Sequence, residues 1–379
     1  MEIERKMRVI RPEAEQGIVH RYPSDHNPFK YNAWPSLALG DNGWLYAVAS
    51  GLRMSHVDHA GKNIMWVSMN GGKTWTPPIV VYDSKIDDRD PGIINLGGGK
   101  MLMSWYTDNY DTYLDHMQEQ TWLPDGDKAM MAGWSKYWHT LTDEEYNAEK
   151  GSYVSLSTDN GVTWGEPVRL NLHSPHGPCV CKDGTLLYMG KRFEPDYAYD
   201  NDFVCYISRD NGATWEYRGT VPMGEDCDYG QMYEAHQVEL PSGRILGGMR
   251  VNGRKDAPAD SVYVTYSDDK GKTWSVPKCI GVDGMPPHFM VHSSGAVICS
   301  YSCRTWGNIS ERAVVSYDGG ETWSEDYILN DNINQEKQRD MGYPATVELP
   351  DGSLYTIFYQ ALPDDWHTSI LSTRWKLEK

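Results

Sequence analysis

One octapeptide recurs five times in this 379-residue chain, as SMNGGKTW from Ser68, STDNGVTW from Ser157, SRDNGATW from Ser208, SDDKGKTW from Ser267 and SYDGGETW from Ser316. Repetition on this scale means that the fold is built from copies of one unit. The octapeptide reads as a turn, because Asp or Asn can bond nearby backbone N–H groups and Gly accepts a positive φ. The residues before it, as in DSVYVTYS and ERAVVSYD, alternate as strands do. A second set of turns lies at Asn42-Gly43, Gly98-Gly99, Asp183-Gly184, Ser242-Gly243, Ser294-Gly295 and Asp351-Gly352, each between apolar runs. Their glycines are spaced by 56, 85, 59, 52 and 57 residues, so one unit carries an insertion and the others are regular.

Each unit therefore reads strand, turn, strand, loop, strand, octapeptide, strand. Four antiparallel strands repeated six times predict an all-β fold, a six-bladed β-propeller with one inserted segment in blade two. The last unit ends without an octapeptide, so its outer strand is expected from the N-terminal segment around QGIVHRYPS, making residues 1–379 a single domain with a closed ring. The insertion, residues 108–151, is rich in Trp, Tyr and acids, and Thr142 with Glu145 forms a capping-box start that predicts a short helix. A loop of that length in a compact domain is expected to serve as a lid or wall beside a site.

Composition excludes several classes of function. A net charge of −18 opposes nucleic acids and anionic membranes as partners. No apolar run approaches the roughly 20 residues needed to span a bilayer, and the start, MEIERKMRVIRPEAEQG, has no apolar stretch of a secretion signal, which predicts a cytoplasmic protein. The seven cysteines are odd in number and lack CxxC spacing, as expected of reduced, buried thiols. Fifteen Trp and 25 Tyr against five Phe suit both a β-rich core and stacking on sugar faces.

In a propeller the starts of the inner strands and the ends of the second strands converge on one mouth of the central channel. Here Trp34, Asp90, His176, Glu234 with His236, His288 and Tyr343 start inner strands, while Arg53, Arg192, Arg250 and Arg304 end second strands. So many ionisable groups at turn positions point to a site.

The repeats resemble those of the sialidase superfamily, where the octapeptide is called the Asp box and the fold is a six-bladed propeller. The resemblance implies roles residue by residue. Tyr343 in GYPATVELPDG is similar to the family's nucleophilic tyrosine, and Glu234 in YEAHQVELPSGRILGGMR to the glutamate that activates it. Arg250 sits like an arginine that binds the substrate carboxylate, Asp90 in RDPG like the second-blade aspartate, and Asp58, or alternatively His59, like the acid/base after Arg53. A neutral tyrosine avoids pushing a second negative charge against a carboxylate at the anomeric carbon, but with a pKa near 10 it needs a neighbouring base. The sequence departs from the family at AWPSL, where Ala33 and Trp34 replace the first clamp arginine, and Arg304 and Arg312 both stand near the place of the third. Losing a bidentate donor weakens carboxylate binding, which leaves the identity of the acidic sugar open.

His176, His236 and His288 are the second distinctive group. They are expected to face the mouth, where they would bind hydroxyls or a uronate or move protons near neutral pH. The spacings His56-x-x-His59, His173-x-x-His176 and His288-x3-His292 look ligand-like but fall in loops and strands and give little support for a metal, and no cofactor is expected. The expected ligand is a small acidic sugar or oligosaccharide. The readings open at this point are a retaining sialidase-like exo-glycoside hydrolase, a uronic-acid glycan lyase or hydrolase using the histidines, and a non-catalytic glycan-binding propeller.

Overall fold

A computed structural model describes residues 7–22, 29–56, 58–59, 61–108, 128–130, 132–133, 136, 140–192, 202–253, 260–336, 340–363, 365 and 367–378. Six sheets follow one another in chain order. Blade one comprises Tyr31–Leu39, Leu45–Arg53, Lys62–Ser68 and Ile79–Tyr82; blade two comprises Asp87–Gly97, Lys100–Asp108, Gly151–Ser157 and Val168–Leu170. In blade three the inner position is shared by two short strands, Leu172–His173 and Cys179–Val180, before Leu186–Arg192, Phe203–Ser208 and Glu216–Thr220. Pro175 and Pro178 lie between the two, and proline has no N–H for the ladder. Blade four is Met232–Glu239, Ile245–Asn252, Asp260–Ser267 and Lys278–Asp283, and blade five is Met285–Val291, Val297–Cys303, Ser310–Ser316 and Glu325–Asn330, with Arg8–Ile10 added in parallel at its edge. Blade six takes Met341–Glu348, Leu354–Ala361 and Thr368–Trp375 from the C-terminal end, and its fourth strand, Glu15–His20, from the N-terminal end.

All six inner hairpins turn on a glycine of positive φ: Gly43, Gly98, Gly184, Gly243, Gly295 and Gly352. The octapeptides join third to fourth strands in blades one to five. In the copy at Ser267, Gly271 N–H donates to Ser267 Oγ (2.8 Å), Thr273 N–H to Asp269 Oδ1 (2.8 Å) and Thr273 Oγ1–H to Asp269 Oδ2 (2.7 Å). The turn also faces the preceding blade. A Cβ on Gly72 would run into the Tyr355 ring of blade six, and one on Gly271 into Cys205 of blade three.

The core is divided into six apolar wedges, one between each pair of neighbouring blades. Every octapeptide tryptophan enters the wedge shared with the preceding blade: Trp75 against Tyr355, Trp164 beside Tyr46 and Met65, Trp215, Trp274 and Trp323 likewise. Side chains also fasten one blade to the next near the axis. Ser50 Oγ–H donates to Asp88 O, Ser174 Oγ–H to Ala235 O and Thr368 Oγ1–H to Asn32 O.

The insertion sits between the second and third strands of blade two, and the structure describes its last part. Asp143–Glu149 is a helix capped reciprocally by Thr142 and Glu145, and it buries Tyr146 against Ile86 and Leu141. Of the insertion expected to act as a lid or wall, residues 108–151, the stretches 109–127, 131, 134–135 and 137–139 lie outside the described residues.

Candidate functional site

Five inner strands begin with a large residue in the left-handed region: Trp34 (φ 54°), Asp90 (47°), His176 (67°), Glu234 (44°) and Tyr343 (54°). In blades one, two, four and six the strand register shifts at this residue. Such conformations are costly for residues with a Cβ and persist where the surroundings impose them. The bulge turns each side chain out of the sheet alternation and toward the mouth, so groups far apart in sequence meet.

Tyr343 and Glu234, 109 residues apart, are in direct contact: the tyrosine hydroxyl donates to Glu234 Oε1. Arg250 Nη1 donates to both Glu234 oxygens, at 3.1 and 3.0 Å, while its Nε reaches Asn252 Oδ1 at 2.6 Å. Tyr343 is 5% exposed. Burial, and then the negative charge of Glu234, push its hydroxyl well above the usual phenolic range, so it stays protonated. Asp90 is buried, its Oδ1 has no hydrogen-bond partner among the described residues, and desolvation raises it to about 7 against the pull of Arg89.

The arginines separate into two groups. Arg304 belongs to the mouth: its guanidinium donates to Met341 O and, at 3.1 Å, to the Tyr359 hydroxyl, whose ring is 6.1 Å from that of Tyr343. Arg312 is buried against Asp326 (2.7 Å), Ser310 and Asn308, which leaves Arg304 as the mouth residue of the two. Arg53, expected as a substrate contact, is fully buried instead. Asp87 takes both of its Nη groups, and Ser50, Ser55 and His56 accept its remaining bonds. Arg192, also expected at the mouth, points outward, with its guanidinium 5.9 Å from the ring of Tyr217 on the outer strand of blade three.

Trp34 does not leave its corner of the mouth without positive charge. Arg89 lies 3.9 Å and Arg53 4.9 Å from the Trp34 ring centroid. Arg89 was not singled out from the sequence, although its place beside Asp90 was the available signal. A second missed cluster surrounds Asp340, which accepts from Tyr31 (2.6 Å), Tyr359 (3.0 Å) and His56 Nδ1 (3.3 Å). Burial alone would raise Asp340, but His56, Tyr31 and Arg304 hold it down at about 2. Asp58, expected as acid/base, is 3% exposed and accepts the Met54 N–H at 2.6 Å within its own loop.

The three histidines do come together, with ring centroids 4.4 to 5.7 Å apart. Two of them are occupied structurally. His236 Nδ1 accepts the Phe289 N–H of blade five (2.9 Å), and His288 Nδ1 accepts the Thr346 N–H of blade six (3.3 Å). A Nδ1 lone pair spent on a backbone donor puts the proton of the neutral ring on Nε2. Burial keeps all three rings neutral, with His288 lowered to about 3. His176, 4.9 Å from His288 and 6.3 Å from Tyr343, has no hydrogen bond at either nitrogen among the described residues. Among the described residues no three His, Cys, Asp or Glu side chains converge as metal ligands.

Beside Arg250 and Arg304 a cavity of about 510 Å³ opens, lined also by Asp260, Asp283, Met285 and half-exposed Trp306. Its volume is that of a small-ligand site.

Comparison with known proteins agrees with this architecture. Residues 181–358 match the family model described as a BNR repeat-like domain. A sialidase of Bacteroides fragilis is 23% identical over 348 residues, 83% of this chain; the chain spans 59% of that relative's length. A crystal structure of a protein of unknown function from Dyadobacter fermentans superposes with a TM-score of 0.73 at 21% identity, covering 97% of this chain and 99% of that one. The Hadza microbial sialidase Hz136 superposes with a TM-score of 0.66 at 17% identity, covering 95% of this chain and 68% of the other. Six blades, a BNR repeat-like match over residues 181–358 and these neighbours support a sialidase-like six-bladed β-propeller fold for the chain.

Proposed function

We propose that the protein is a retaining exo-glycoside hydrolase acting on glycosides of a small acidic sugar. The observation that carries this reading is the Tyr343–Glu234 hydrogen bond at the channel mouth, with Arg250 bound to the same carboxylate. A phenol held protonated by burial is a nucleophile only when a base takes its proton during attack. Glu234 is placed to do so, and Arg250 keeps that carboxylate oriented toward Tyr343. Arg250, Arg304 and Arg89 supply the positive charge for an acidic sugar, and the adjoining cavity provides its room. His236 and His288 present N–H donors and lack the free lone pair that would abstract a proton, which narrows the elimination reading to His176.

The test is a panel of aryl glycosides of sialic acids, uronic acids and neutral sugars, followed by a fluorinated analogue of any sugar that is turned over. A covalent adduct on Tyr343, found by peptide mass spectrometry, is the expected result. Turnover with labelling elsewhere would remove the nucleophile assignment, and release of an unsaturated uronate absorbing in the near ultraviolet would replace hydrolysis by elimination. Tyr343→Phe should lower kcat by about 100-fold or more while leaving the thermal midpoint close to wild type.

A further inference from the structure

The hydrolase reading leaves the proton donor to the leaving oxygen without a seated residue, since Asp58 lies buried against the Met54 amide. His56, two residues earlier in the same loop, is arranged differently. Its side chain is one-third exposed and packs edge-on against Trp34, with ring centroids 5.0 Å apart. Its Nδ1 faces Tyr31 Oη at 2.9 Å and Asp340 Oδ1 at 3.3 Å. Tyr31 already donates its proton to Asp340 Oδ2 at 2.6 Å, so its oxygen can only accept from His56. Nδ1 therefore carries a hydrogen, and in the neutral ring the lone pair is on Nε2. That is the opposite tautomer to His236 and His288. Among the described residues nothing bonds to Nε2.

The location suits proton transfer at the mouth. Tyr359 bridges the two groups, its hydroxyl 3.0 Å from Asp340 and its ring 6.1 Å from Tyr343 and 6.2 Å from Trp34. Among the described residues, the charged groups around His56 besides Asp340 include Arg53, which donates to its backbone carbonyl, Arg89 over the Trp34 ring, and Arg304 beyond Tyr359. The carboxylate of Asp340 and the Tyr31 oxygen hold the Nδ1 side of the ring, which leaves Nε2 as the nitrogen that can exchange a proton.

We infer that His56, held by Asp340 and Tyr31, is the general acid and base of the hydrolase proposed above, in the place the sequence pattern assigned to Asp58. In the first step Tyr343 Oη bonds to the anomeric carbon and its proton passes to Glu234. The bond to the leaving oxygen breaks with its electron pair, and that oxygen takes a proton from His56 Nε2. In the second step neutral His56 Nε2 accepts a proton from water as the water oxygen attacks the anomeric carbon. The bond to Tyr343 breaks, and the phenolate regains its proton from Glu234. Asp340 acts through His56 and is a positioning residue.

Two measurements test the assignment. With an aryl glycoside of a poor leaving group, His56→Asn should lose about 100-fold or more in kcat/KM, with a much smaller loss for a strongly activated one. Asp340→Asn should lower kcat/KM with the same leaving-group dependence as His56→Asn but by a smaller factor, because the ring loses the carboxylate that orients it. An equal loss across leaving groups, or the leaving-group signature at Asp58→Asn with His56→Asn unaffected, would overturn the inference. Absence of the Tyr343 adduct would sink the hydrolase reading itself, whereas an adduct with leaving-group-independent His56→Asn kinetics removes only His56. Independently of turnover, nitrogen NMR of the imidazoles should place the neutral-state proton of His56 on Nδ1 and those of His236 and His288 on Nε2. A His56 proton on Nε2 would overturn the assignment.

Discussion

Glu234 carries two partners of opposite kind, the hydroxyl of Tyr343 and the guanidinium of Arg250, and the residues around it are chosen by what each does to a charge. A less visible case is Glu311, which is fully buried beside Ser302, accepts its hydroxyl at 2.6 Å, and has one oxygen without a partner among the described residues. Burial pushes this carboxyl up to about 8 against the opposing pull of Ser302 and Arg304. The folded protein thus keeps a proton that the unfolded chain releases near its ordinary 4.5, so the stability Glu311 contributes is present at low pH and is lost as pH rises toward 8. Glu311→Gln cannot ionise. Its stability relative to wild type should rise between pH 5 and 8.5 by a few kcal/mol, on the order expected of a buried carboxyl, measured by urea unfolding at each pH; a pH-independent difference would show that Glu311 is ionised in the fold. Arg53 and Arg192 show why single residues were hard to read. Both end second strands as expected, but Asp87, 34 residues from Arg53, and Tyr217 on the outer strand claim them.

At the scale of elements, the octapeptide does two things at once. Its Ser, Asp and Thr close the outer hairpin, and its Gly and Trp fit that hairpin into the preceding blade. Both are local chemistry repeated in place, so the strands and turns were readable from the chain, including the helix at Asp143–Glu149 with its Thr142 cap. The inner strands behave differently. Their channel-facing edge has no fifth strand to pair with, and side chains from the neighbouring blade meet the backbone there. His236 and His288 do this for Phe289 and Thr346, which gives a structural task to residues that looked purely functional in sequence. His236→Ala would leave a buried N–H without a partner and should destabilise the fold by about 1–3 kcal/mol, seen as a lower denaturant midpoint. An unchanged midpoint would mean that the Phe289 amide does not depend on the ring.

Across the whole molecule, closure of the ring decides whether a mouth exists. Glu15–His20 pairs along Thr368–Trp375 and joins the two ends of the chain in one sheet. Removing residues 7–20 should expose that strand edge and the wedge containing Val19, lowering the thermal midpoint by many degrees and promoting association measurable by light scattering; a truncated monomer as stable as the parent would show that the ring does not rely on this strand. The number of sheets and the four-strand repeat of each blade were determined by the sequence alone, because turn chemistry and strand alternation act between neighbours along the chain, whereas the parallel strand Arg8–Ile10 at blade five and the divided inner strand of blade three were not. Which of the residues at those positions meet was decided only by the tertiary structure. Tyr343 and Glu234 are 109 residues apart, and His56 and Asp340 are 284 apart. Contact between them depends on blade twist, on the left-handed bulges at the strand starts, and on which neighbouring charge neutralises which, and none of these leaves a periodic trace in the chain.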